Sequence, residues 1–265
     1  MVDKKNSKKV GGKKKEIKEK VGKKYEIQVT AKDMLEAGCH FGHSVAKTHP
    51  RILPYLYGAR RGVQVFDLIQ TRELLQKAAE FLYEQTKMGR KIAWVGTKRQ
   101  AREILKKEAE RLEMPYVVNR WLGGTITNWE QIQKNVRRHK ELKQEIEEGK
   151  YRKYNKKEQA ALGRELARLE RLVGGLHSLE KDLFDILVVV DLRQDQTAIL
   201  EAVMGKIPTV AICDSNSDPE PISFPVPAND DSAKSVKLIL TELLRAAEEG
   251  QKASGKQLSK AKKED

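Results

Sequence analysis

Residue types able to do chemistry gather at five places in this 265-residue chain. Cys39-His40-Phe41-Gly42-His43, with His49 beyond, holds transition-metal ligand types. Its spacing fits neither the C-x-x-C pairs of structural zinc sites nor the helical H-E-x-x-H of zinc proteases. Hydrogen-bonded histidines in a packed loop are the better reading, so no metal is expected; His40 and His43 are the residues that would hold one. Gly96-Thr97-Lys98-Arg99 opens a helix with free amides and two cations, Lys98 and Arg99, which suit a phosphate. It lacks the glycine spacing of nucleotide-binding loops. Asp191 and Asp214 stand at strand ends where magnesium ligands occur, but aspartates there also cap turns and helices. In Arg120-Trp-Leu-Gly-Gly-Thr-Ile-Thr-Asn-Trp129, Gly123 and Gly124 permit close backbone approach and Arg120 suits a phosphate. Trp121 and Trp129 read as packing anchors. Lys150-Tyr-Arg-Lys-Tyr-Asn-Lys-Lys157 interleaves five cations (Lys150, Arg152, Lys153, Lys156, Lys157) with two tyrosines, a pattern for phosphate contacts and stacking on unpaired bases. A cysteine nucleophile would need a histidine and an orienting group beside it, and Cys213 falls inside an apolar strand. No catalytic constellation assembles, and neither an enzyme nor a cofactor is expected.

The elements that must position these residues follow from periodicity. Thr30-Ala-Lys-Asp33 is a capping box opening a short helix that Gly38 ends. Tyr55 to Leu68 reads as two short strands around Gly58-Ala-Arg-Arg-Gly62, leading into a helix over 70–87. Ile92–Val95, Pro115–Val118, Ile186–Val190 and Pro208–Ile212 read as strands, with an edge strand at Ile222–Val226 demoted by Pro225. Helices are expected over 99–113, 195–205 and 231–248. Strands regularly separated by helices imply right-handed crossovers and a parallel α/β/α sheet. One segment interrupts the alternation. Trp129, Ile132, Val136, His139, Lys143 and Ile146 recur at heptad spacing, and Leu162, Leu166, Leu169 and Val173 repeat it, with charges such as Arg137 and Arg138 on the other faces. The pattern predicts an antiparallel coiled-coil hairpin with the basic stretch 150–157 at its tip.

Charge is spread unevenly. The formal net charge is +14, yet residues 1–24 carry eleven lysines against Asp3, Glu16 and Glu19. Residues 250–265 carry five lysines against two acids, and 128–175 carry thirteen Lys/Arg against eight Glu. A near-neutral body with basic extremities points to a polyanionic partner. Residues 1–24 have too little apolar surface to offset the entropy of ordering and read as a disordered basic arm. The expected organisation is therefore an arm (1–24), the first part of the α/β domain (25–127), the hairpin insertion (128–175), the second part (176–249) and a disordered basic tail (250–265). No apolar run approaches the ~20 residues of a bilayer span, and no apolar run follows the N-terminal lysines, so a cytoplasmic chain without membrane contact is expected. Two cysteines far apart in sequence exclude a disulfide scaffold.

Several of these stretches together resemble the bacterial small-subunit ribosomal protein S-two family. They are Met34-Leu-Glu-Ala-Gly-Cys-His-Phe-Gly-His43, Pro54-Tyr-Leu-Tyr-Gly-Ala-Arg60, Val95-Gly-Thr-Lys-Arg99, Asn119–Trp129, Lys156-Lys-Glu158, Leu169-Glu-Arg-Leu-Val-Gly-Gly175, Asp214-Ser-Asn-Ser-Asp-Pro219 and Ile222–Asp231. The match is collinear over about residues 30–248. The resemblance implies a flavodoxin-like three-layer α/β/α sandwich with the coiled-coil hairpin inserted after its second strand. It also implies a structural role in the small subunit, binding ribosomal RNA beside neighbouring ribosomal proteins, the mRNA-binding protein S-one among them. Two readings compete with it: a nucleotide enzyme using the carboxyl edge of the sheet, and a scaffold holding a protein on the coiled coil. The lysine-rich arm has no counterpart in the family pattern.

Overall fold

The computed structural model describes residues 25–179 and 182–264, without the side chains of 151, 152 and 256–264; the arm expected over 1–24 lies outside the described residues. From Tyr25 the chain runs extended, burying Tyr25, Ile27 and Val29 and exposing Glu26 and Gln28 between them. The predicted capping box then forms. The Asp33 amide donates to Thr30 Oγ1 at 3.2 Å and the Thr30 amide to Asp33 Oδ2 at 2.9 Å, opening α1 (Ala31–Ala37). Gly38 closes it in the left-handed region at φ +77°, where a side chain would be strained.

A small antiparallel sheet follows; the two short strands expected over Tyr55 to Leu68 form, and a third strand that the sequence does not predict joins them. The sheet contains β1 (Phe41–Ser44), β2 (Leu56–Arg60) and β3 (Val63–Phe66), in the order β1-β3-β2. The histidine stretch read as a loop is therefore partly strand. Its four residues Phe-Gly-His-Ser have no apolar alternation and are held by the tertiary partner, the Phe66 amide donating to His40 O at 2.8 Å. The turn between β2 and β3 is also tighter than expected: Gly58 lies within β2, and Arg61 and Gly62 make the reversal at φ +51° and +79°.

The main body alternates as predicted: α2 (Leu68–Lys87), β4 (Ile92–Val95), α3 (Arg99–Arg111), β5 (Tyr116–Val117), α4 (Trp129–Glu147), α5 (Lys156–Val173), β6 (Ile186–Val189), α6 (Gln196–Met204), β7 (Thr209–Cys213), β8 (Phe224–Pro227) and α7 (Ala233–Glu264). The five strands β5-β4-β6-β7-β8 pair in parallel throughout. Counted within the sheet, that order is 2-1-3-4-5, the flavodoxin-like one. Strands β4, β6 and β7 are buried along their whole length, which is why they read as unbroken apolar runs. Pro225 and Pro227 sit in β8 at the edge, where a missing N–H leaves no ladder bond unmade.

Alternate residues of each strand feed two cores. Ile92, Trp94, Ile186, Val188 and Val210 face α1, α2, α3, α7 and the extended segment 25–29. Ala93, Val95, Leu187, Val189 and Ala211 face α4, α5, α6 and the small sheet. Each fully buried aliphatic side chain contributes about 1.5–3 kcal/mol, so neither layer is dispensable.

Two expectations need correction. In α4 the fifth inward position is Leu142, fully buried, while Lys143 is exposed; at 3.6 residues per turn the inward stripe passes from His139 to 142 before 143. The last helix does not stop at Glu248 but continues through Glu264. No proline interrupts it, and Gly250 lets it lie so close to α2 that a Cβ there would run into Thr86 and the Tyr83 carbonyl.

Candidate nucleic-acid interface

In a sheet of this order, ligands enter the crevice beyond the carboxyl ends of the strands, where the crossover direction reverses. Here that crevice lies between β4 and β6. The chain leaves β4 at Gly96, where a Cβ would meet Leu105 Cδ2 at 2.9 Å and Ala101 Cβ at 3.1 Å, so glycine is what lets α3 start this close. Thr97 then donates from Oγ1 to Asp195 Oδ1 at 2.9 Å, and burial pushes the Asp195 carboxyl up to about 6.

Lys98 is not available to a phosphate. Its ammonium lies 2.6 Å from Asp230 Oδ1, 2.7 Å from Asp231 Oδ1 and 3.3 Å from Asp191 Oδ2. Burial opposes the charge, yet these carboxylates outweigh it and raise the lysine's pKa. The sequence reading of Lys98 as an RNA contact missed this because Asp230 lies 132 residues away. Burial, with Asp214 and Asp191 nearby, pushes the Asp230 carboxyl up to about 8. Asp191 also caps the following turn, its Oδ1 accepting from the amides of Arg193 at 2.8 Å and Gln194 at 3.0 Å. Three aspartates thus surround one lysine at the mouth of the crevice. The cation that a phosphate would need at this helix start is thereby taken up by the protein's own carboxylates.

The two candidate metal histidines part company. His43 Nδ1 sits 3.1 Å from Asp214 Oδ1, and its Nε2 is 3.4 Å from Asp231 Oδ2 and 3.1 Å from Asn216 Nδ2. The hydrogen bond to Asp214 raises the His43 pKa despite partial burial. His43, Asp214 and Asp231 bring one ligand atom each within 4.8 Å of one another, a set that could seat a divalent cation. His40 is not part of it; its ring lies against Phe41 at 3.9 Å between centroids.

The loop Arg120–Asn128 is organised by a residue the sequence reading passed over, Glu201 of α6. Its carboxylate accepts from Trp121 Nε1 at 3.2 Å and from the amides of Gly124 (2.8 Å), Ile126 (2.9 Å) and Thr127 (3.3 Å). Burial would raise its pKa, but these donors prevail and hold it below the ordinary glutamate range. The signal was present: Glu201 is the one charge in the helix Gln196–Met204. Trp121 is buried edge-on to Phe184 at 6.5 Å, and Trp129 is half-buried in the same core. Both tryptophans are therefore packing anchors, and Arg120 beside them is exposed.

Beyond that root, α4 and α5 lie side by side. Arg138 Nε donates to Glu165 Oε1 at 3.1 Å, and His139 Nε2 meets Glu170 Oε2 at 2.5 Å across the pair. The link between the helices is basic. Lys153, Lys156 and Lys157 are exposed with no ion-pair partner among the described residues, and Tyr154 is 46% exposed between them. Asn155 fixes the start of α5, accepting from the Glu158 amide at 2.9 Å while Glu158 accepts from the Asn155 amide at 3.0 Å. Lys150 pairs with Glu148, and the Arg152 side chain lies outside the described residues. Arg99 and Arg137 are exposed, Arg137 donating to Gln133 Oε1 at 2.9 Å.

This arrangement, a structural α/β body with an acid-lined crevice and a cation-tipped helical pair, can be set beside known proteins. A family model described as Ribosomal protein S2 matches residues 34–250. The chain belongs to the ribosomal protein S2 family. The small ribosomal subunit protein uS2c of Porphyra purpurea is 43% identical over 222 residues, covering 84% of this chain and 92% of that one. The uS2 proteins of a Synechocystis species and of Coprothermobacter proteolyticus are 44% and 41% identical, each covering 84% of this chain and 82% of its own. As a member of the S2 family the chain is a structural, non-enzymatic constituent of the small ribosomal subunit, with ribosomal RNA and other ribosomal proteins as partners. Among the described residues no helix is long and apolar enough to cross a membrane.

Proposed function

We propose that the chain docks on small-subunit ribosomal RNA chiefly through the tip of an antiparallel coiled coil formed by α4 and α5, which projects from the sheet. The observation that carries this reading is the tip itself: Lys153, Lys156 and Lys157 stand exposed and unpaired beside Tyr154, whereas Lys98 is fully engaged inside the protein. Lysines neutralise phosphates without reading sequence, and a tyrosine ring supplies a platform for an unstacked base. Lys150 and Arg152 belong to the same surface, with Arg137 and Arg138 along the helix and Arg99 and Arg120 nearer the root as secondary phosphate contacts. The protein acts in the cytoplasm as part of the subunit, and the family resemblance adds the mRNA-binding protein S-one to its neighbours.

Binding to subunit RNA in a salt titration tests this. Each phosphate contact steepens the fall of log affinity with log salt by about 0.7–0.9. Replacing Lys153, Lys156 and Lys157 with Gln should lower the slope by about 2 if each makes one contact. An unchanged slope would place the RNA contacts elsewhere.

A further inference from the structure

α6 is apolar on both sides. Its residues Gln196–Met204 hold one charge, Glu201, and that charge is turned inward to the amides of Gly124, Ile126 and Thr127. Ala198, Ile199 and Ala202 are buried in the core that Leu187, Val189 and Ala211 of the sheet share. A helix that is apolar all round is ordinarily covered all round. Yet the outer side of α6 lies open: Leu200 is 56% exposed, Val203 49% and Met204 72%. Single exposed apolar side chains are ordinary, but these three stand at i, i+3 and i+4 and so form one stripe. The stripe continues at both ends. Beyond Met204, Gly205 lies against half-buried Ile126, where a Cβ would come within 2.8 Å of Ile126 Cγ2. Beside Leu200 opens a groove of about 510 Å³, floored by Leu192 and Ile199 and lined also by Pro221.

The free charges around the stripe have one sign. Arg193 precedes α6 and Lys206 follows it; both are exposed, and neither has an ion-pair partner among the described residues. The nearby acids are already engaged: Asp218 Oδ2, at the groove, lies 2.6 Å from Arg51 Nη1, which also meets Glu220. We propose that α6 is a docking face for an amphipathic, acid-bearing helix of a neighbouring small-subunit protein. Its apolar side chains lie on Leu200, Val203 and Met204, and its carboxylates stand against Arg193 and Lys206. This is the helix-in-groove mode of recognition, with anchors one turn apart. At 1.5 Å per residue α6 is about 13 Å long, so the two cations bracket more than two turns of a partner helix. Other occupants fit less well. RNA is met by cations and aromatic platforms, and the stripe holds no ring. A second copy paired about a twofold axis through the stripe would set cation against cation at both ends. The chain's own lysine-rich ends, 1–24 and 250–265, carry the sign that this rim repels. The inference rests on membership of the small subunit and is independent of docking by the tip.

The test uses small subunits assembled with the full chain. The photo-crosslinking residue p-benzoylphenylalanine replaces Met204 or Gln196, with exposed Lys107 of α3 as the control position. Irradiation, ribonuclease treatment and peptide mass spectrometry should yield, from positions 196 and 204 alone, a crosslink to one subunit protein. The crosslinked segment should carry apolar residues three or four apart, flanked by Asp or Glu. Two further variants measure the contact: Leu200→Gln with Val203→Gln and Met204→Gln, and Arg193→Glu with Lys206→Glu. Each should lower the affinity of the assembled subunit for that protein about tenfold or more, while the salt slope of RNA binding stays that of the unaltered chain. Every side chain replaced is exposed, so circular dichroism should show the fold unchanged. A crosslink to RNA, to a second copy of this chain or to a protein segment without that pattern would overturn the proposal. So would the absence of any crosslink from both positions, or full affinity in either variant.

Discussion

Removing the Glu201 carboxylate should unseat the root of the helical pair. In Glu201→Ala, the donors Trp121 Nε1, Gly124 N, Ile126 N and Thr127 N lose the acceptor that all four share. At about 1 kcal/mol net for each lost bond, the expected destabilisation is about 3–5 kcal/mol. Glu201→Gln keeps one oxygen and turns an NH2 toward the remaining donors, so about half that loss is expected. Urea unfolding followed by circular dichroism gives the stability, and amide exchange at Gly124, Ile126 and Thr127 reports the loop directly. The pH dependence has a definite sign. Because the folded state holds Glu201 below its ordinary pKa, its contribution is complete above the ordinary glutamate value and is lost as pH falls through the folded value. The gap between the unaltered protein and Glu201→Gln should accordingly be widest near neutrality and close in acid. A Glu201→Ala protein within 0.5 kcal/mol of the original, with unaltered exchange at the three amides, would refute the reasoning.

Other substitutions probe other parts. Lys98→Met leaves the aspartates around it unpaired and should cost about 3 kcal/mol in urea unfolding, with no change in the salt slope of RNA binding, since the ammonium meets no phosphate. Tyr154→Ala should weaken RNA binding by about 1–3 kcal/mol at fixed salt if its ring carries a base, with thermal stability unchanged because the ring is half exposed. Gly175→Ala drives a methyl group into the Tyr116 carbonyl and ring at the edge strand, and should cost about 1–3 kcal/mol or more by thermal melting. His43 has a raised folded pKa, so its charged pair with Asp214 stabilises most below the ordinary histidine value and fades as pH rises through the folded one. Its ring should titrate above about 6.5 by NMR, and His43→Gln should flatten that decline in stability.

The large sheet was legible because β4, β6 and β7 are covered on both faces and so are apolar at every position. In the small sheet β2 and β3 were legible as short strands about a glycine-bounded turn, but β1 was not, because Phe41–Ser44 becomes a strand only through its bonds to β3. Helix periodicity located the paired helices but placed Lys143 where Leu142 packs, since a strict seven-residue repeat drifts against 3.6 residues per turn. At the site, the tip residues could be found because composition alone makes a solvent-facing cationic cluster. The fate of Lys98 could not: its partners arrive from the ends of two other strands, and a charge next to a helix start reads the same whether it faces phosphate or aspartate. Glu201 stood out as the one charge of its helix, but its role could not be assigned, since three of its partners are backbone amides, which carry no residue signature.

The central claim is that a small-subunit protein reaches ribosomal RNA through the tip between α4 and α5. The most direct measurement is sedimentation of subunits assembled with the unaltered chain or with the Lys153/Lys156/Lys157→Gln variant, over a rising salt series. Comigration of the unaltered chain with the small subunit, with the variant released at distinctly lower salt, is the predicted result. Identical release of the two proteins, or a chain that stays at the top of the gradient at every salt concentration, would contradict it.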